Sequence, residues 1–194
     1  MRTINKKDCN NYDVWKVKNK KVKTYHALIE HPEIKAMLKN ALTEEQLGLC
    51  CYCCDVLRTS HIEHFKPQTL YPKLSLDYQN MHVSCSSDKL KKRHCGAKKD
   101  NHDPCDAERA IICPLNPNCS ELFEYDQLGY ISPANDNKLA KDTIDVLGLN
   151  DPSLRSSRRA VIEAYYSCPE YWKEKISDNP LPSFYNVIEY FAKN

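Results

Sequence analysis

The sequence predicts an α+β protein, a small metal-stapled module of short strands set among α-helices. Two observations carry that reading. Residues 49–100 crowd cysteines, histidines and turns into one basic segment, from Cys50-Cys51-Tyr52-Cys53-Cys54 to His94-Cys95-Gly96. On either side, apolar residues recur at helical spacing. At 194 residues, 41% hydrophobic and 28% charged, the chain has the composition of one ordinary globular domain. No apolar run approaches the roughly 20 residues of a membrane span. The start Met-Arg-Thr-Ile-Asn-Lys-Lys lacks a signal's apolar core, so a cytoplasmic protein without membrane contact is expected.

Residues 1–26 read as an extended basic arm anchored by Trp15, Val17, Val22 and Tyr25, ahead of a single domain over 27–194. Pro32 suits a first helical position, and Ile34, Met37, Leu38, Leu42 and Leu47 predict a helix over about 32–48. Thr43-Glu44-Glu45-Gln46 has capping-box spacing, which also admits two short helices. Gly48 breaks the run before the module of residues 49–100. A hairpin is expected where Leu122-Phe123-Glu124-Tyr125-Asp126 meets Gly129-Tyr130-Ile131. Helices return over 136–194: a stripe of Leu139, Ile144, Leu147 and Leu149, then a helix opened by Asp151-Pro152 and running to Tyr166, then an amphipathic helix over 182–192.

Eleven cysteines in a chain read as cytosolic point to metal rather than disulfides. Zinc takes four tetrahedral ligands, and two cysteine pairs would pin two remote loops together. Cys85 and Cys95 form the second pair; the first is either Cys50 with Cys53 or Cys51 with Cys54. Cys113 and Cys119 could hold another ion, but no clear partner pair follows them. The net charge of +2 hides a balance of +6 in residues 1–26 and of +6 in residues 89–99. Such density within the cysteine-rich segment suits phosphate, which dominates nucleic-acid affinity.

Cys50-Cys51-Tyr52-Cys53, Ile62-Glu63-His64-Phe65-Lys66-Pro67, Asp77-Tyr78-Gln79-Asn80-Met81, Cys85 and His94-Cys95-Gly96-Ala97-Lys98-Lys99 together resemble the HNH endonucleases. The resemblance extends to the PtuB-like HNH subunits of Septu-type and retron-linked phage-defence systems. Leu122 to Gly129, and Thr143-Ile144-Asp145-Val146-Leu147-Gly148-Leu149-Asn150 before an Arg-containing helix, carry that part of it. It covers most of residues 49–160 and none of the first 40. The implied fold is a zinc-stabilised ββα-metal core packed among α-helices. The Cys-x-Tyr-Cys form favours Cys50 and Cys53 as zinc ligands.

The implied activity is metal-dependent hydrolysis of phosphodiesters in DNA, or in tRNA or other RNA. In DNA the products would be a 5′-phosphate and a 3′-hydroxyl. His titrates near neutral pH, and His64 would be the general base. Glu63 resembles the acidic ligand of a catalytic Mg²⁺ or Mn²⁺. Since neighbouring strand residues face opposite sides, it reaches a shared metal only at a twisted or bulged strand end. Asn80 resembles the central Asn that holds the loop and orients the base. The family's His or Asn after the last zinc cysteine is replaced by Gly96; His94 is the substitute considered, with Asp100 and Asp88 behind it. His61 shares the face of Glu63 and could bind metal or phosphate, although a surface or core role is the plainer reading for His61, His82 and His102. The implied partners are nucleic acid, an SMC/ABC-like (PtuA-like) ATPase and, in a retron-linked system, a reverse transcriptase with its RNA–DNA product. Exposed-looking Tyr165, Tyr166, Tyr171, Trp172 and Tyr190 suit a docked subunit.

Two other readings remain open. A zinc-stapled module that binds nucleic acid or a partner without cutting would use the same cysteines, but has no need of Glu63, His64 and Asn80. A zinc deaminase matches only His-x-Glu at His61 and Glu63, with no Pro-Cys-x-x-Cys after it.

Overall fold

The computed structural model describes residues 1–85, 93–175 and 181–193. Two helices, α1 (Asn10–Lys18) and α2 (Pro32–Glu45), precede an antiparallel pair, β1 (Ser60–His64) and β2 (Met81–Cys85). The short helix α3 (Cys95–Lys99) follows. A second antiparallel pair, β3 (Phe123–Tyr125) and β4 (Ile131–Pro133), leads into α4 (Lys138–Leu147), α5 (Pro152–Ser167), α6 (Pro169–Lys175) and α7 (Tyr185–Lys193). Asp88, Lys89, Lys91 and Lys92, singled out in the sequence, lie outside the described residues.

Strand alternation divides the molecule. Ile62 pairs with Val83 and His64 with Met81, and this side packs with Tyr12, Leu28, Leu38 and Leu42 from the N-terminal elements. His61 pairs with Ser84 and Glu63 with His82; the Ser84 hydroxyl accepts the Gly96 N–H, so this side faces α3. Buried Gln46, just past α2, locks its helix to the hairpin. Its amide nitrogen donates to the carbonyls of Leu49 and Val83 while its oxygen accepts the Val83 N–H. A second core gathers the cysteine loop, β3, β4, α4, α5 and α7.

Helix boundaries follow local chemistry. Pro32 opens α2, and the Thr43 hydroxyl bonds back to the Lys39 carbonyl, so α2 runs on without splitting at the capping-box spacing. Asn137 caps α4 by accepting the Ala140 N–H, and Asp151 caps α5 by accepting the Ser153 N–H. Gly148 ends α4 in the left-handed region at φ 60°, where a Cβ would stand 2.5 Å from the Arg93 carbonyl oxygen. Buried Arg158 joins hairpin and helices by donating to the carbonyls of Gly129 and Leu149.

The first 26 residues differ from the extended arm expected of them. They contain α1; Trp15, Val22 and Tyr25 do pack against the core, joined by buried Met1, Ile4 and Tyr12, whereas Val17 is 67% exposed. Lys6 is drawn inside: its Nζ donates to the carbonyls of Tyr78 and Met81, lies 3.6 Å from Glu45 and sits over the Tyr78 ring. Burial pushes its pKa down to about 8 despite Glu45. A lysine read as solvated charge is thus a clamp between the N-terminus and β2.

His82 has the most unusual environment of the described imidazoles. It is fully buried, neither ring nitrogen has a hydrogen-bond partner among the described residues, and it lies near Lys6, His64 and Lys99. Burial, reinforced by the Lys6 charge, takes its pKa down to about 3. The unfolded chain would protonate His82 near about 6.5, so between that value and about 3 the unfolded state binds the extra proton. Stability from this residue is therefore complete above pH ~6.5 and is lost on acidification, at up to about 1.4 kcal/mol per pH unit. His82→Leu should flatten that slope in urea melts compared at pH 7, 6 and 5; identical slopes in the two proteins would refute the assignment.

Candidate functional site

Residues 47–57 fold into a tight knuckle. Leu49 bridges Val56, the Cys50 N–H donates to the Asp55 carbonyl, and the Cys54 N–H returns to the Cys50 carbonyl. The Cys51 N–H reaches the Val83 carbonyl, tying the knuckle to β2. The sulfurs of Cys50, Cys53, Cys85 and Cys95 consequently converge within 4.8 Å of one another. Cys53 Sγ and Cys85 Sγ are 4.0 Å apart. Tetrahedral zinc with Zn–S bonds of about 2.3 Å spaces its sulfurs by roughly 3.8 Å, so this donor set fits zinc. Cys51 and Cys54 are not in this group, nor are Cys113 and Cys119. Burial pushes the Cys95 thiol well up, while Cys50, also buried, is brought well down by the thiols hydrogen-bonded to it. A shared cation is what would let all four ionise together.

On the α3 side of β1, Glu63 is almost fully enclosed. Oε1 accepts from the Tyr52 hydroxyl at 3.1 Å and lies 2.8 Å from Lys99 Nζ; Oε2 lies 3.2 Å from His61 Nε2. Burial alone would raise the Glu63 pKa, but His61 and Lys99 outweigh it and hold the group below the usual carboxylate value. Lys99 also donates to the His64 backbone carbonyl, so one ammonium ties together both halves of the Glu63-His64 pair.

His64 lies on the opposite side. Its Nε2 is 3.0 Å from the Ser75 carbonyl oxygen, which fixes the tautomer with the proton on Nε2. Nδ1 is then the acceptor, and the exposed Gln68 amide donates to it at 3.2 Å. The Tyr25 ring meets His64 edge-on at 4.7 Å. Burial lowers the His64 pKa, partly offset by the Ser75 bond and the Glu63 charge. Asn80 closes the intervening loop: its Oδ1 accepts the Lys66 N–H and its Nδ2 donates to the carbonyls of Lys66 and Leu74.

Of the residues singled out in the sequence, the four cysteines are brought together, and Glu63, His64 and Asn80 lie on the hairpin beside them. His94 is not brought to the carboxylate. Extended backbone before the left-handed Cys95 turns its ring to the thiols, with Nδ1 3.2 Å from Cys95 Sγ and 3.8 Å from Cys85 Sγ. Lys99, Tyr52, Gln68 and Tyr25 were not singled out for this site. Lys99 had a signal, because it follows Cys95 by four residues and so shares its buried helical face. Tyr25 comes from a remote segment and had none.

No protein-family model matches the chain. It is 31% identical over 140 residues, 67% of its length, to the protein named "Retron Vc95 putative HNH endonuclease" of Vibrio cholerae serotype O1 biovar El Tor, covering 65% of that protein. It is 32% identical over 120 residues, 60% of its length, to Septu protein PtuB of Bacillus thuringiensis, covering 42% of it. The chain is a homologue of both. This agrees with the HNH family and the antiphage setting that its motifs resemble. The matches span less than two thirds of either relative's own length.

If the thiol cluster is structural, its loss and that of the imidazole should separate cleanly. Cys50→Ser or Cys95→Ser should lose bound zinc and on the order of 4 kcal/mol of stability. His64→Ala should keep its zinc and most of its melting temperature. Zinc content by elemental analysis and thermal melts would check both, and full zinc in both cysteine variants would refute the ligand set.

Proposed function

We propose that the chain is a metal-dependent HNH endonuclease that hydrolyses phosphodiester bonds in nucleic acid as the toxic effector of an antiphage defence system. In this reading β1, β2 and α3 are its ββα-metal core, and zinc held by Cys50, Cys53, Cys85 and Cys95 is structural. The observation that carries it is the adjacent pair on β1: an enclosed carboxylate held in its ionised form, and an imidazole whose Nε2 proton is fixed on a backbone carbonyl so that Nδ1 can accept one. A binding module would need neither. The names of the two homologues support the same reading.

Each residue then has a task. Glu63 would hold a catalytic Mg²⁺ or Mn²⁺, which supplies neutralisation of the charge developing on the scissile phosphate. His64 Nδ1 would take the proton of the attacking water, with Gln68 yielding its place to that water and the Ser75 carbonyl keeping the ring oriented. Because His64 faces away from Glu63, the phosphate would have to lie across the end of β1 for base and cation to act on it together. Asn80 fixes the loop that carries Ser75. Lys99 keeps Glu63 ionised. A companion ATPase gates access to the substrate, and in a retron setting a reverse transcriptase and its RNA–DNA product join the assembly.

The test is cleavage by the purified chain, alone and with any ATPase found encoded beside it, of duplex DNA, single-stranded DNA and tRNA in Mg²⁺ and Mn²⁺. Cutting should stop in chelator and return with the divalent ion. His64→Ala should lower the rate by about 10²–10⁴-fold. Cutting that continues undiminished in strong chelator, or in His64→Ala, would sink the mechanism.

A further inference from the structure

The proposed catalytic cation needs a second protein ligand besides Glu63, and the position that supplies it in HNH enzymes is here Gly96. The imidazoles elsewhere near the hairpin are committed: His94 to the thiols, His64 to Ser75 on the other side of the strand, His82 to the closed interior. We infer that His61 is the missing ligand, so that the catalytic cation is held by Glu63 Oε2 and His61 Nε2 and prefers Mn²⁺ to Mg²⁺. This rests on the nuclease reading and adds to it a ligand and a metal preference.

Four observations converge on the pair. His61 and Glu63 are two residues apart on β1 and share its α3-facing side. Their Nε2 and Oε2 atoms are 3.2 Å apart. Neighbouring ligands of an octahedral ion with bonds of about 2.1 Å are roughly 3.0 Å apart, so little movement is needed to admit one. The other Glu63 oxygen is engaged by Tyr52 and Lys99, which leaves Oε2 as the oxygen on offer. The His61 side chain is 37% exposed, whereas that of Glu63 is 8% exposed, so the pair opens toward solvent at the imidazole, where a phosphate would arrive.

Gly96 explains why the ligand has moved. A Cβ there would stand 2.5 Å from Glu63 Oε2 and 3.1 Å from His61 Nε2. A ligand side chain grown from residue 96 would therefore occupy the space where these two donor atoms meet. A glycine on the helix and a histidine on the strand form one substitution: the nitrogen donor is supplied from β1, and α3 must leave room for it. The donor set then contains an imidazole, which suits transition metals better than Mg²⁺, a cation that favours oxygen.

Mn²⁺ binding to the zinc-loaded chain, followed by the electron paramagnetic resonance of free Mn²⁺ without any substrate, tests this independently of cutting. Wild type should bind one Mn²⁺ and exclude Mg²⁺ by preference. His61→Ala, Glu63→Gln and Gly96→Ala should each weaken Mn²⁺ binding by about tenfold or more, with zinc content and melting showing that each is folded. His102→Ala, which removes an exposed imidazole bonded to the Arg109 carbonyl, should bind normally. His61→Asp should restore binding and shift preference toward Mg²⁺. Unchanged Mn²⁺ affinity in His61→Ala, or no Mn²⁺ bound by wild type, would overturn the inference. Unchanged Mn²⁺ affinity in His61→Ala leaves the nuclease reading standing, because that reading is tested separately by cleavage in chelator and in His64→Ala.

Discussion

Four thiols drawn to one point, three of them buried, are the constraint on which the rest of this molecule depends. They come from three separate segments: the knuckle, the end of β2 and the start of α3. Buried cysteines this close repel one another as thiolates and waste polar capacity as thiols, so a bound cation is the arrangement that satisfies them. Fixing Cys85 and Cys95 against Cys50 and Cys53 also fixes the distance between β2 and α3. That distance decides where Gly96 and Lys99 stand relative to Glu63. The structural half of the site is thus what gives the carboxylate its neighbours.

Within that frame, the strand's two-residue period does the sorting. Glu63 and His64 are adjacent in sequence, yet their side chains share no partner: one faces α3, the other the loop closed by Asn80 and the ring of Tyr25. Lys99 reaches both, through a side-chain oxygen of one and a backbone oxygen of the other. This separation lets two opposed electrostatic demands coexist. Glu63 needs positive charge nearby to stay ionised while buried. His64 needs to stay neutral, which burial favours and a nearby carboxylate opposes. Placing them on opposite sides of one strand meets both.

Much of this was legible in the sequence because it is encoded locally. Proline and aspartate at helix starts, Gly148 at a helix end, and apolar stripes announce elements through short-range chemistry, and α2, α4 and α5 begin and end close to those signals. Spacing left two registers for the first cysteine pair; the Cys-x-Tyr-Cys form, through the HNH resemblance, favoured Cys50 and Cys53, which are the ones that converge. What was not legible depends on which way a side chain turns at a single residue. His94 and Gly96 flank Cys95, and only its positive φ decides that the histidine turns to sulfur and the glycine faces the carboxylate. The N-terminal segment was misread for a related reason. Its lysines count as surface charge in any composition, and nothing local shows that Lys6 meets two carbonyls more than seventy residues away.

The same point alters what the basic character of the chain can mean. Formal charge becomes a field for nucleic acid only where the cation remains in water. Lys99 and Arg158 are buried, the Lys6 side chain is nearly enclosed, and all three are spent on carbonyls or carboxylates, while Arg93 pairs with Asp151 at 2.8 Å. Among the described residues, the positive balance counted along residues 1–26 and 89–99 is therefore partly structural, holding the N-terminus to β2 and α3 to Glu63. A cation consumed in this way releases no counterions when phosphate binds, so it adds nothing to the salt dependence of affinity. Exposed Lys98 lies against Gly148 at the end of α4, and Lys66, over the Tyr71 ring, belongs to the loop that Asn80 closes. Cations that serve the fold in this way leave that much less field to act on a polyanion at a distance.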